Sequence, residues 1–220
     1  MLLAADRARQ PAEYRTLLEA SGGDPRVFRA VAEELSQTLG RRVSPADLGE
    51  AVRALSIQTS RESAELLDRA VETAPADGPT LRTASRAWLI VWVMGDRTAG
   101  QRAVELARMA PATQPASGQS FAHLATVLAR LDPDTADVLA VLEALAQAEA
   151  LNPASPQLKH RRFTTARDAG LLDQARQAAR AALQANELMR LDRLGAGLSE
   201  AHIAELERFL GDGSGMCASL

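Results

Sequence analysis

The sequence predicts an all-α protein, an α-α superhelix of antiparallel helical hairpins with capping helices at its ends. Three observations predict it. Alanine and leucine dominate while Val and Ile are sparse; alanine is the strongest helix former, and strands draw on β-branched residues. Capping side chains stand directly before prolines at Asp24-Pro25, Ser44-Pro45, Asp132-Pro133 and Ser155-Pro156. The cap oxygen satisfies an orphan backbone N–H, and proline at the first helical position has no N–H to leave unpaired. Finally, small side chains return at near-regular intervals, as they must where paired helices approach closely.

The first 57 residues hold three helices, Pro11 to Ala20, Pro25 to Leu39 and Pro45 to Ile57. Val27, Ala30, Val31, Leu35 and Leu39 form an apolar stripe at helical spacing, and Leu48, Val52 and Leu55 form another. Further on, Leu124, Val127, Leu128 and Leu131 make a third stripe, and Val138, Leu139, Leu142, Leu145 and Ala148 a fourth. The whole chain reads as about 11 helices of roughly 12 to 17 residues joined by short Gly/Pro turns, which force neighbours to run antiparallel. Ser199 opens a last amphipathic helix to Leu210, with Ile203, Leu206, Phe209 and Leu210 on one side. Glu187 to Gly197 reads as a linker or frayed helix, and Gly211 to Leu220 as a disordered tail.

The middle of the chain repeats. Gly170 is followed after five residues by Ala175 and after 12 by Ala182, and Gly95 and Ala107 keep the same 12-residue separation. Ala70 and Ala148 each precede a proline, Pro75 and Pro153, by five residues, and Ala107 precedes Pro111 by four. Ala70, Ala107, Ala148 and Ala182 are thus spaced by 37, 41 and 34 residues, with an enlarged turn expected near Ala112 to Ser120. A turn glycine, small anchors and a closing proline resemble the tetratricopeptide repeat, whose period is about 34. The resemblance covers residues 58–190. Residues 1–57 then form an N-terminal cap or divergent repeats, and residues 191–210 a C-terminal cap, which such arrays need to hide their ends. The helix from Pro156 departs from the family pattern, offering Lys159, Arg162, Phe163 and Ala166 where aromatics and Leu-Gly are usual.

Composition excludes several functions. The net charge of −3 opposes general affinity for nucleic acid or anionic membranes. The most apolar run, Ala87 to Met94, is far shorter than the about 20 residues of a membrane span. One cysteine, Cys217, permits no internal disulfide, and the N-terminus shows no signal-peptide pattern. A cytoplasmic protein is expected. Lys159 is the only lysine among 25 basic residues, as a GC-rich bacterial genome would give.

No chemistry-bearing constellation is found. His123, His160 and His202 lack ligand spacing and read as exposed helix residues; no Gly-x-Ser-x-Gly elbow or phosphate loop appears. The expectation is no enzyme, no metal and no cofactor. Glu33 and Glu34 read as a solvated face. Trp88 and Trp92 lie on one helix face, read first as core and otherwise as a ligand shelf or homodimer interface. The run Lys159-His160-Arg161-Arg162 fans around its helix and makes no single patch.

What the resemblance implies is a binding scaffold in which the first helices of successive repeats line a groove for a peptide or partner helix. Carried over by register, the lining is Arg82, Ser85 and Leu89, then His123, Thr126 and Arg130, then His160, Thr164 and Arg167. That basic, hydroxyl-bearing surface suits an acidic protein segment or a C-terminal carboxylate, and charge substitution at Arg130 and Arg167 is expected to weaken binding without lowering the Tm. Two alternatives are an accessory or regulatory domain of an enzyme system, such as a transferase, and a helical DNA-binding regulator using residues 25 to 57, whose second helix is poorly basic.

Overall fold

The computed structural model describes residues 11–131, 137–192 and 197–212. Among the described residues there are ten α-helices and one short 3-10 turn. The N-terminal helices are α1 (Pro11–Ala20), α2 (Pro25–Leu39) and α3 (Leu48–Thr73), with the 3-10 turn Pro45–Asp47 leading into α3. Then follow α4 (Gly78–Val93), α5 (Ala99–Thr113), α6 (Gly118–Leu131), α7 (Val138–Leu151), α8 (Pro156–Asp168), α9 (Leu172–Asp192) and α10 (Glu200–Asp212). Helices α4 and α5, α6 and α7, and α8 and α9 pair as hairpins, and each also packs on the next in the chain. The apolar cores follow one another along this order instead of meeting at one centre. The expected stack of hairpins in sequence order is the observed fold.

Two hairpins turn on glycine. Gly95 and Gly170 have φ of 118° and 74°, values that a Cβ disfavours. At both, the following amide reaches back five residues, Asp96 N–H to the Val91 carbonyl at 3.2 Å and Leu171 N–H to that of Ala166 at 2.8 Å. These closures satisfy orphan carbonyls in the Schellman manner. Within the hairpins the facing residues are small. Ala84, Ala103 and Ala107 are fully buried between α4 and α5, as are Ala166, Ala175, Ala179 and Ala182 between α8 and α9.

The links between hairpins share a motif absent from the sequence reading: Ala74-Pro75-Ala76-Asp77, Gln114-Pro115-Ala116-Ser117 and Asn152-Pro153-Ala154-Ser155. The first residue of each has φ near −138°, −132° and −141°, and its N–H donates to Ala70, Ala110 or Ala148 at 3.0 Å. The last residue caps the next helix: Asp77 accepts from Thr80 N–H and Ser155 from Leu158 N–H. The repeat marker is therefore Pro75, Pro115 and Pro153, and the anchor is Ala110 where Ala107 was expected. No enlarged turn exists at 112–120. Pro111 lies inside the last turn of α5, where it removes one backbone bond while Gln114 N–H to Ala110 carries the helix on.

Other boundaries also move. The helix expected to end at Ile57 continues to Thr73, and position 57 falls inside α3. Its first half packs with Tyr14, Val31 and Leu35 through Leu48, Val52 and Leu55, and its second half enters the next core through Ala64 and Val71. Between them the helix is held by Gln58 with Glu62 and by Arg61 with Glu65. Helix α9 runs on to Asp192, so the first part of the stretch expected to be a linker or frayed helix is helical, and α10 includes Gly211 and Asp212. The Asp132-Pro133 cap, Cys217 and the rest of the tail lie outside the described residues. No helix among those described is long and apolar enough to cross a membrane.

Candidate functional site

Helices α4, α6 and α8 lie side by side, tied by side chains about one repeat apart in sequence. His123 Nε2 on α6 is 2.9 Å from Ser85 Oγ on α4. Arg82 donates to Ser120 Oγ at 3.0 Å and to Gln119 at 3.4 Å. Arg161 on α8 donates to Thr126 Oγ1 at 2.8 Å and to the Ala122 carbonyl at 3.4 Å. Helix α10 extends the row: Glu205 accepts from Arg167 and lies 3.1 Å from His160 Nε2.

The row separates charge. Helix α4 carries Arg82 and Arg86, and α6 carries Arg130, with no Asp or Glu on either. Helix α8 adds Lys159, Arg161, Arg162 and Arg167 against Asp168 at its end. Helix α7, the hairpin partner of α6, has only acids, Glu143 and Glu149. The basic run on α8 fans as its spacing implies: Lys159 turns to the Pro153 carbonyl, His160 to Glu205, Arg161 to α6 and Arg162 to Glu149.

Between α4 and α6 opens a cleft of about 390 Å³, within the usual range for binding pockets. Leu89, Ile90, Val93 and Met94 give it an apolar floor; His123 and Thr126 form one wall, and Arg86 and Arg130 the basic rim. Four of the nine residues expected from register, Leu89, His123, Thr126 and Arg130, meet here. The others do not. Ser85 is fully buried and donates to the Ala103 carbonyl at 2.7 Å. Arg82 is spent on α6, and Thr164 bonds its own helix at the Arg161 carbonyl. His160 is buried against Glu205, contrary to the exposed position expected of it, and its ring stacks 4.2 Å from that of His202. Arg167 is held by Glu205 and Asp168 and covers the Phe163 ring. Its substitution therefore costs stability, and Arg86 replaces it as the informative charge. Arg86, Ile90, Val93 and Met94 were missed by register alone, although Arg86 stands one helical turn from Arg82.

Trp88 is core, packed with Leu81, Ala84 and Leu106, while Trp92 is half-buried beneath Arg97 at 4.5 Å. The tryptophans thus make no open shelf. The exposed apolar side chains of α4 are Ile90 and Val93. On the N-terminal helices Glu34 is not simply solvated, because Tyr14 donates to it at 3.1 Å.

Electrostatics mark two places. Burial, reinforced by Arg82 and Arg86, pushes His123 down to about 4. Ser85 has one hydroxyl proton and gives it to Ala103, so His123 Nε2 is the donor to Ser85 and Nδ1 carries the lone pair. Burial and the like charge of Arg130 also lower Arg161, which remains a cation. At the far end, the hydrogen bond from Arg167, aided by His160, holds the Glu205 carboxyl below its usual range. A carboxylate with a lowered folded value stabilises the fold above its unfolded pKa and loses that effect as pH falls through the folded value. Acidification below about pH 4.5 is therefore expected to loosen α10, seen as faster hydrogen exchange of its amides. Glu205→Gln should make that exchange fast already at neutral pH. Equal protection in both proteins at pH 7 would refute the tether.

No family model and no curated protein sequence matches the chain. Solved structures similar to it include two crystal structures of MamA, each 14% identical. One aligns with a TM-score of 0.44 over 76% of this chain and 90% of that one, the other with 0.45 over 88% and 94%. At that distance the function of this chain rests on its own geometry.

Proposed function

We propose that this protein is an interaction scaffold that receives a peptide or helix of another protein along the row α4, α6 and α8. The observation that carries this reading is the acid-free basic surface of α4 and α6 around an open, partly apolar cleft, in a chain whose net charge is −3. Arg86 and Arg130 are exposed and, among the described residues, have no carboxylate partner. Uncompensated cations kept on one face give specificity and on-rate towards an acidic partner. Rigid helices stacked on neighbours present such a face without rearrangement.

Affinity capture from the native host with the full chain as bait tests this. A bait carrying Arg86→Glu and Arg130→Glu should lose the partner, whereas Arg108→Glu, exposed on α5, should retain it. Retention by the first bait and loss by the second would move the binding face to the second helices.

A further inference from the structure

The α4–α6 cleft combines two needs that few ligands meet together. Ile90 and Val93 are 48% and 58% exposed, and with Arg86 they follow an i, i+4, i+7 course over about 10 Å of α4. A purely apolar occupant would bury the Arg86 and Arg130 guanidiniums without counter-charge, which is costly. A purely acidic one would leave the apolar stripe in water. The stripe also has the one-face repeat of a helix, which an extended strand does not match.

We propose that this cleft docks an acidic amphipathic helix of a partner protein, with apolar side chains on Ile90 and Val93 and carboxylates on Arg86 and Arg130. The proposal rests on the first-helix row being the binding face and narrows it to one pair of helices and one partner chemistry.

His123 supplies a reporter of position. Arg82 and Arg86 face it from α4, Arg130 shares its helix and cleft, and Arg161 reaches beside it from α8. Among the described residues no carboxylate stands with them. Nδ1 is the place for a second proton, and carboxylates arriving at Arg86 favour it by offsetting the surrounding positive charge. Docking therefore takes up a proton, and linkage requires it to tighten as pH falls.

The test is titration calorimetry of the full chain with a synthetic helical peptide of about 18 residues, with leucines at i, i+4 and i+7 flanked by glutamates, and with its Glu→Gln twin. The Glu peptide should bind, with the twin on the order of tenfold weaker. Arg86→Glu and Arg130→Glu should each weaken it by a similar factor, with unchanged melting curves, and Arg108→Glu should have no effect. Binding should tighten between pH 7.5 and 5.5, by up to about tenfold if His123 regains its ordinary value, and stay flat in His123→Gln. Equal binding of the twin, indifference to both arginine substitutions, or coincident pH profiles for the two proteins would each overturn the proposal. Self-association through Ile90 and Val93, read by sedimentation without peptide, would overturn it in favour of a second copy as occupant. A captured partner that tolerates Arg86→Glu and Arg130→Glu but cross-links to α8 would overturn it while sparing the wider reading of the row.

Discussion

Phe163→Ala is expected to destabilise the protein by about 3–5 kcal/mol, the range for a large aromatic removed from a packed core. Phe163 is fully buried on α8, among Ala166, Ala175, Ala179 and Leu206. Its ring meets that of Phe209 edge-on at 5.0 Å, and the Arg167 guanidinium lies 5.1 Å above it. Three helices, α8, α9 and α10, thus converge on one side chain. The alanines around it are already minimal and cannot move into the space. In an array stabilised by nearest-neighbour contacts, the loss falls first on the last hairpin and its cap. Urea denaturation measures the total, and hydrogen exchange resolves where it falls. A loss below about 1 kcal/mol, or one spread evenly over α4 and α5, would contradict the packing described.

Acid should act at the other end of the row. His123 is held near 4 in the folded chain against an ordinary 6.5. For a base lowered on folding, the neutral form favours the native state, so its stabilisation is complete above the unfolded value and drains away as pH falls from 6.5 towards 4. At pH 5 the loss reaches at most about 2 kcal/mol, since a partly solvated ring retains some screening. Urea melts at pH 7.5 and 5 give the difference directly. His123→Gln keeps a hydrogen-bonding side chain beside Ser85 without titrating, and should remove most of that difference. An equal acid loss in the variant would place the sensitivity elsewhere.

Helix starts were legible where a capping side chain meets proline and accepts from the first turn, because the determinant is local: Pro25 and Pro156 begin α2 and α8 as expected, whereas Ser44 makes no cap bond and Pro45 opens only the 3-10 turn before α3. The unity of α3 was not. Its middle, Gln58 to Ser63, is polar because it crosses between two cores, and a solvated helical segment reads like a linker. The repeat marker was missed by four residues because Pro111 and Pro115 are both plausible terminators, and only the backbone shows which one the helix passes through. In the site, register placed residues on the right helices. It did not say which were already engaged, since Arg82 and Arg86 stand on the same face and only the first reaches α6. That distinction depends on neighbours an array acquires only when stacked.

Helix α3 spans 26 residues, about 39 Å, and belongs to two cores at once. It works as a shared beam. The N-terminal helices have no separate hinge on which to swing, and a shortened chain beginning at residue 58 would start in mid-helix. Removing the first half would strip the remaining turns of their lateral bracing, so the front of the array would fray from Ala64 onward towards α4, where the cleft begins.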